Sequence, residues 1–414
     1  MFDRSLINPM LTGELLNNAL RIIPEYDDSI RTNDKSTRLL ALSDLYNIYI
    51  PSEMSEEIYS KLYLALLRSL NKKDTINAVR QANENYKAVH QKSYQGIIGG
   101  SDSFTIIGCS GIGKSSAISR AVDLITDKTF VEFNNTKICP VMVVQCPFDS
   151  SVKGLAFEIL RNIDDALETK YYTNAIRSHA TTDILIGIIS QVALNHIGLL
   201  IIDEIQNVAS SKNGKTFIHA ITQLINNSGI SICMVGTPEC KSFFEQKLQL
   251  ARRSMGFEYI PLQYDGYFEN FCRTLFTYQY TQKKTDLKEG LTEWLYEHSV
   301  GLVSLVVSLI HDAQEIAILN GCEEINISTL TEAYEKRTSM IHGFISQEQR
   351  KPNKSNVKSS KNLISIIQTK ATHDPDFSVA EVIEMSRKNG LNVVEVLKHY
   401  CPIEEIPAGG ESPC

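Results

Sequence analysis

The sequence predicts an α/β protein: a mainly parallel sheet flanked by helices, with a phosphate-binding loop, followed by an α-helical domain. Three observations predict it. Short apolar runs alternate with helix-period segments between residues 103 and 237. A glycine-rich loop, GCSGIGKS (108–115), joins the first such run to the first such helix. After about residue 265 the strand signals stop and helical periodicity alone continues. Strands that alternate with helices argue for parallel pairing, because parallel neighbours need a long crossover.

Residues 1–50 have no clear pattern. In SEMSEEIYSKLYLALLRSL (52–70) the apolar positions 58, 62, 65, 66 and 70 keep helical spacing, and Ser55 with Glu57 can help start that helix. A polar stretch then leads to glycines 96, 99 and 100. SFTIIGCS, from residue 103, is a β-type run ending in glycine, and KSSAISRAVDLI (114–125) is helical. KICPVMVVQC (137–146) is a second strand, VKGLAFEILRNIDDAL (152–167) and TDILIGIISQVALNH (182–196) are helices, and GLLIIDE (198–204) is a third strand. KTFIHAITQLINNS (215–228) is a helix, and ISICMVGT (230–237) a fourth strand. FENFCRTLFTYQY, LTEWLYEHS, LVSLVVSLIHDAQEIAILNG and STLTEAYEKRTSMIHGF read as the helices of a second domain, with Trp294 in its core. SQEQRKPNKSNVKSSKN (346–362) holds five basic residues and one acid with almost nothing apolar, the composition of a flexible linker. The expected divisions are 1–95, 96–264, 265–345, 346–362 and 363–414.

The 414 residues carry a net charge of −7, with 43% apolar and 21% charged residues. That balance excludes a uniformly basic nucleic-acid binder but leaves room for a local basic patch. Nine cysteines include no C-x-x-C pair and no zinc spacing, so buried free thiols in a reducing compartment are expected. MFDRSLINPM lacks a basic region followed by an apolar one, and the longest apolar run, near GLLII (198–202), falls far short of the ~20 residues of a membrane span. A cytoplasmic location and no membrane partner are expected.

The chemistry begins at the glycine-rich loop. Gly108, Gly113, Lys114 and Ser115 fit G-x-x-x-x-G-K-[ST]. Glycines let several N–H groups point at one anion, Lys114 reaches the β- and γ-phosphates, and Ser115 ligates Mg²⁺. The expected ATP-binding set is Gly108, Cys109, Ser110, Gly111, Ile112, Gly113, Lys114, Ser115, Ser116 and Asp203. A chance turn is the bland alternative; a strand before the loop and a helix after it speak against that. LLIIDE places Asp203 at a strand end, where it holds Mg²⁺ through water, and Glu204 beside it, where it polarises the attacking water. The bland reading of that pair is a helix N-cap. Thr237 ends the strand ISICMVGT and is positioned to contact the γ-phosphate or the water; otherwise it is a simple strand-end turn. Arg252 and Arg253 in LARRSMGF supply a candidate guanidinium for a neighbouring subunit's γ-phosphate, with no basis for choosing between them. A solvated arginine pair is the alternative.

Loop, Asp-Glu strand end, polar strand end and trailing arginines come in the order used by AAA+ ATPases. Together with CPFDSSVKGLAFEILRNIDDAL, HIGLLIIDEIQNVASS, MVGTPECKSFFE and LARRSMGF, from about residue 38 to 345, the sequence resembles the TnsC family. These are the AAA+ transposition regulators of Tn-seven-like transposons, related more distantly to TniB and the phage Mu B protein. The resemblance implies ATP and Mg²⁺ as cofactors and assembly as a homo-oligomeric ring or filament on double-stranded DNA. It implies a link between a target-selector protein and transposase subunits, with ATP hydrolysis disassembling the complex. It also implies sequence-independent DNA contacts at Lys153 and at Lys170, Tyr171, Tyr172 and Thr173, with Arg177 nearby. The chain ends are expected to dock the partners. Ser304 stands where many AAA+ proteins carry a second sensor arginine on the lid. Other readings are a helicase loader or replication initiator of the same superfamily, a signalling ATPase that oligomerises without DNA, and a kinase acting on a small substrate.

Overall fold

The structure, a computed structural model, describes residues 6–73, 103–133, 136–210, 214–241, 256–287 and 289–338. Arg252, Arg253, the linker 346–362 and the tail 363–414 lie outside the described residues.

Helices α1 (Gly13–Leu20), α2 (Lys35–Ala41) and α3 (Asp44–Asn47) precede the long α4 (Glu53–Lys73). Then come β1 (Phe104–Gly108), α5 (Lys114–Ile125), β2 (Val131–Phe133), β3 (Thr136–Gln145), α6 (Val152–Leu167), α7 (Tyr171–Arg177) and α8 (Thr182–His196). β4 (Ile197–Asp203), α9 (Gln206–Ser210), α10 (Gly214–Ser228), β5 (Ser231–Gly236) and β6 (Phe257–Tyr259) complete the sheet region. The lid is α11 (Gly266–Thr277), α12 (Glu289–Ser299), α13 (Val303–Asn320) and α14 (Ile327–Ala333).

The six strands run in the order β2-β3-β4-β5-β1-β6. Every neighbouring pair is parallel except β2 with β3. The four expected strands form its middle. β2 and β6 add three residues each at the edges, too short to show a period. β4 and β5 are buried along nearly their whole length because both faces are covered. Leu200, Ile202, Ile232 and Met234 face a core shared with α6, α8 and α10, while Leu199, Ile201, Cys233 and Val235 face one shared with α1, α4 and α5. Close approach of α4 needs Gly198: a Cβ there would sit 2.6 Å from Leu66 Cδ1 and 2.4 Å from Pro140 O. Ser55 does not cap α4 directly; its Oγ accepts from Ser52 N–H at 3.1 Å.

α13 is long and apolar enough to cross a membrane by length and composition. Here it is the central helix of the lid core, with Val306, Leu309, Ile310 and Ala313 buried. Trp294 packs at the edge of that core, stacked on His298 with ring centres 3.8 Å apart. Of the seven described cysteines, five are buried, Cys109 is half-buried and Cys322 is exposed, all as free thiols.

The N-terminal segment is built into two cores. Leu16 and Leu20 pack under the sheet, whereas Leu42, Leu45 and Ile48 pack in the lid. Between them Arg38 is 1% exposed and binds Glu323 in bidentate fashion, at 2.6 and 2.8 Å, and Tyr280 O at 2.9 Å. Its guanidinium holds the Glu323 carboxyl below the ordinary glutamate range, against the opposing effect of burial. Removing one member of a buried pair strands the other charge, so Arg38→Ala should cost about 3–5 kcal/mol in denaturant unfolding. A carboxyl with a depressed native value stabilises fully above its unfolded value and loses that contribution as pH falls through the native one. The deficit of Arg38→Ala should therefore shrink below about pH 4; a deficit constant down to pH 2 would contradict the pairing.

Candidate nucleotide site

The site begins where β1 meets α5. Gly113 has φ +98° and serves as the N-cap of α5 without a side-chain cap, and Gly111 has φ +83°. Both lie in the left-handed region that side chains resist. A Cβ on Gly108 would meet Ile112 Cδ1 at 2.3 Å and Tyr259 O at 2.9 Å, so β6 lies directly against the loop.

Lys114 is nearly buried, and its Nζ donates to Gly108 O at 2.6 Å and Cys109 O at 2.9 Å. Burial pushes its pKa down, and Asp203 opposes that most. A desolvated ammonium held by main-chain carbonyls is suited to receive an anion. Ser115 Oγ donates to Asp203 Oδ2 at 3.3 Å. The two groups expected to hold Mg²⁺ therefore meet although 88 residues separate them in the chain.

The register sets this up. Gln145 of β3 pairs with Asp203, and Met234 of β5 with Ile202, so polar strand ends emerge along one edge. Asp203 Oδ1 accepts from Glu204 N–H at 2.8 Å. Glu204 is exposed, with φ +58° at a non-glycine position. Its Oε2 accepts a hydrogen bond from Gln206 Nε2. Thr237 follows β5, and its Oγ1 is buried with no hydrogen-bond partner among the described residues. A buried hydroxyl left unpaired costs about 1–3 kcal/mol, and a phosphate oxygen or water in the cleft would satisfy it.

These groups line a cleft of about 1370 Å³, ample for a nucleoside triphosphate. Ser110 through Ser116, Asp203, Glu204 and Thr237 form its polar end. Ile48, Ile50, Ile260, Pro261, Phe271 and Val307 line an apolar end suited to a planar base. The sequence reading missed this contribution of the N-terminal segment. IYIP (48–51) is a four-residue extended run, and a single bridge, Ile22 to Tyr49, holds it. Ser304 also lies at the cleft, its N–H donating to Gly111 O at 3.0 Å.

The expected DNA contacts lie on a different part of the sheet region. Lys153, in the first turn of α6, and Lys170 and Arg177, at the two ends of α7, are exposed. Tyr171–Arg177 forms a short helix. Asp164 fixes it, its carboxylate oxygens accepting from Tyr171 N–H at 2.8 Å and Tyr172 N–H at 2.9 Å. Tyr171 and Tyr172 pack against the core, and Tyr171 hydroxyl lies 3.1 Å from His196 Nε2. Thr173 is half-buried. Lys153 Nζ sits 5.5 Å over the Phe157 ring, which meets Tyr172 edge-on at 5.7 Å.

Residues 67–264 match the family model of the bacterial TniB protein. No curated protein matches the chain. Among solved structures, the Aeropyrum pernix ORC1 protein in complex with DNA shares 14% identity, covering 78% of this chain and 80% of that one, with a TM-score of 0.39. A Walker-type ATPase of Pyrococcus abyssi shares 14% identity over 78% of this chain and 89% of that one, TM-score 0.37. Domain III of the Thermotoga maritima replication initiation protein DnaA shares 13% over 63% and 92%, TM-score 0.34. These likenesses are distant. Residues 67–264, the stretch similar to the TniB family, hold the phosphate loop, the Asp203–Glu204 strand end and Thr237.

Proposed function

We propose that this chain is an ATP-hydrolysing regulator of DNA transposition that assembles as a homo-oligomer on double-stranded DNA in the cytoplasm. It links a target-selector protein to transposase subunits and leaves the DNA when ATP is hydrolysed. The observation that carries the reading is the convergence of Lys114, Ser115, Asp203, Glu204 and Thr237 on one cleft, within the stretch that matches the TniB family. The residues from Gly108 to Ser116 cradle the triphosphate and Lys114 neutralises its outer charge. Ser115 and Asp203 are the pair that would hold Mg²⁺, which when bound supplies further neutralisation of the phosphate oxygens. Glu204 orients and polarises the attacking water, and Thr237 fixes the water or the γ-phosphate. Arg252 or Arg253 of an adjacent subunit stabilises the charge that develops on transfer.

Lys153, Lys170 and Arg177 supply exposed cations for phosphates, with Tyr171, Tyr172 and Thr173 shaping the surface that carries them. One weak contact per subunit, repeated along an assembly, gives tight binding from an acidic protein. The segments 1–95 and 363–414 would dock the selector and the transposase, with 346–362 as the connecting linker.

Lys114→Ala should weaken ATP binding roughly 10- to 150-fold, the worth of a lost charge-assisted hydrogen bond; titration with a fluorescent ATP analogue tests this, and wild-type affinity would remove the phosphate role. Glu204→Gln should keep ATP binding and lose hydrolysis by roughly 10²- to 10⁴-fold. Its complexes on a labelled random-sequence duplex should form only with ATP, rise cooperatively and outlast those of the wild type. Absence of duplex binding under every nucleotide at moderate salt would leave a signalling ATPase as the better reading. Lys153→Ala should weaken binding equally on all sequences and reduce the salt slope by about one, whereas a sequence-selective loss would contradict a phosphate contact.

A further inference from the structure

The turn between β3 and α6, CPFDSS (146–151), carries Phe148 at 91% exposure, the most exposed large apolar side chain among the described residues. A nearly bare phenyl ring does not stabilise the fold that carries it. The turn beneath it is nonetheless tightly fixed. Ser150 is fully buried and holds φ +51°, a left-handed conformation that costs a non-glycine residue of order 1 kcal/mol.

Beside local bonds such as Ser150 N–H to Pro147 O at 2.9 Å, several fixings run to the segment that bears the hydrolytic carboxylate. Cys146 N–H donates to Asp203 O at 2.8 Å. Asn207 Nδ2 donates to Cys146 O at 3.1 Å. Ser150 Oγ donates to Asn207 O at 2.9 Å. Asn207 N–H in turn donates to Glu204 O at 3.1 Å. Glu204 is itself the second left-handed non-glycine residue of this region. Gln206, which holds the Glu204 carboxylate, has its own Oε1 buried without a partner. Two strained residues and a half-satisfied amide mark an arrangement that a shift of the turn can release.

We propose that Phe148 is a further DNA-contacting residue, packing on the deoxyribose face of the duplex backbone, and that the Ser150–Asn207 clamp passes this engagement to Glu204 so that duplex binding speeds ATP hydrolysis. The proposal rests on the DNA-bound reading above. Charge favours the nucleic-acid backbone as occupant. Exposed Lys153 lies in the first turn of the helix that follows the loop, while the nearby Asp149 carboxylate accepts from Ser151 N–H at 3.0 Å. An apolar ring beside a lysine matches a sugar beside a phosphate, and neither contact selects sequence.

The test uses the full chain with random-sequence duplex across a salt series, alongside ATP hydrolysis with and without that duplex. Phe148→Ala should bind about tenfold more weakly at every salt, with an unchanged salt slope, because it removes apolar contact and no charge. Ser150→Ala, and Ser150→Gly, which accepts the left-handed backbone, should bind duplex like the wild type but lose the duplex-induced rise in hydrolysis. Wild-type affinity in Phe148→Ala, together with weakened binding in Lys153→Ala, would overturn the contact and leave the DNA-bound reading standing. Normal DNA affinity with impaired self-association would make a second copy of the chain the occupant of Phe148, which also overturns it. Full stimulation in both Ser150 variants would overturn the clamp. Failure of the wild type itself to bind duplex would be failure of the underlying reading.

Discussion

The turn after β4 is sutured to both neighbouring strands, and the rest of the site depends on it. Cys146 N–H binds Asp203 O from the β3 side, and Ile205 N–H binds Val235 O at 3.0 Å from the β5 side. These main-chain bonds carry the parallel ladder one step past the strand ends. They let a fully buried apolar strand finish in two carboxylates without fraying, and they hold Glu204 in a backbone conformation it would not keep alone. Asp203 then faces Ser115 because β4 and β1 are separated only by β5. The chemistry at this edge comes from the order of strands, and the order of strands comes from apolar runs that need both faces covered.

A second constraint is the path of the N-terminal segment. It crosses from the sheet core to the lid core and back, and the crossing residues 46–55 form one wall of the cleft. Arg38 and Glu323 anchor the crossing at the lid, with Lys283 N–H to Glu323 O adding a main-chain tie at 2.9 Å. Much of what reads as an uninformative leader is thus a strap between two hydrophobic cores. Partner docking, if it uses this region, has to use its outer surface, where Leu15 and Leu40 are exposed at 70% and 77%.

The four central strands and the long helices around them were legible because each is a sustained apolar run or a long helical segment. Helices 114–125, 152–167 and 182–196 have the ends read from sequence. The nucleotide residues were legible because a glycine loop needs a strand before it and a helix after it, and both signals are local. What was not legible is what depends on distant partners. β2 and β6 are strands only by pairing, with no period of their own. Tyr171 and Tyr172 read as a surface pair, yet Asp164, seven and eight residues earlier, turns their backbone into a helix and their rings inward. The strap was hidden because Arg38 and Glu323 lie 285 residues apart, and neither stands in a pattern that announces burial.

Position 304 shows why a departure from a family pattern is best read with its neighbour. A serine there removes the charge that a lid arginine would bring to the phosphates. Its side chain is exposed at the cleft and lies close against the phosphate loop. Ser304 Oγ lies 2.3 Å from where a Cβ on Gly111 would stand, and Ser304 Cβ lies 3.4 Å from the same point. The lid helix therefore reaches the phosphate loop only because Gly111 has no side chain, and the contact is the main-chain bond from Ser304 to Gly111. The missing charge is matched by a close main-chain approach, which couples the lid to the shape of the loop instead of to the charge of what the loop holds.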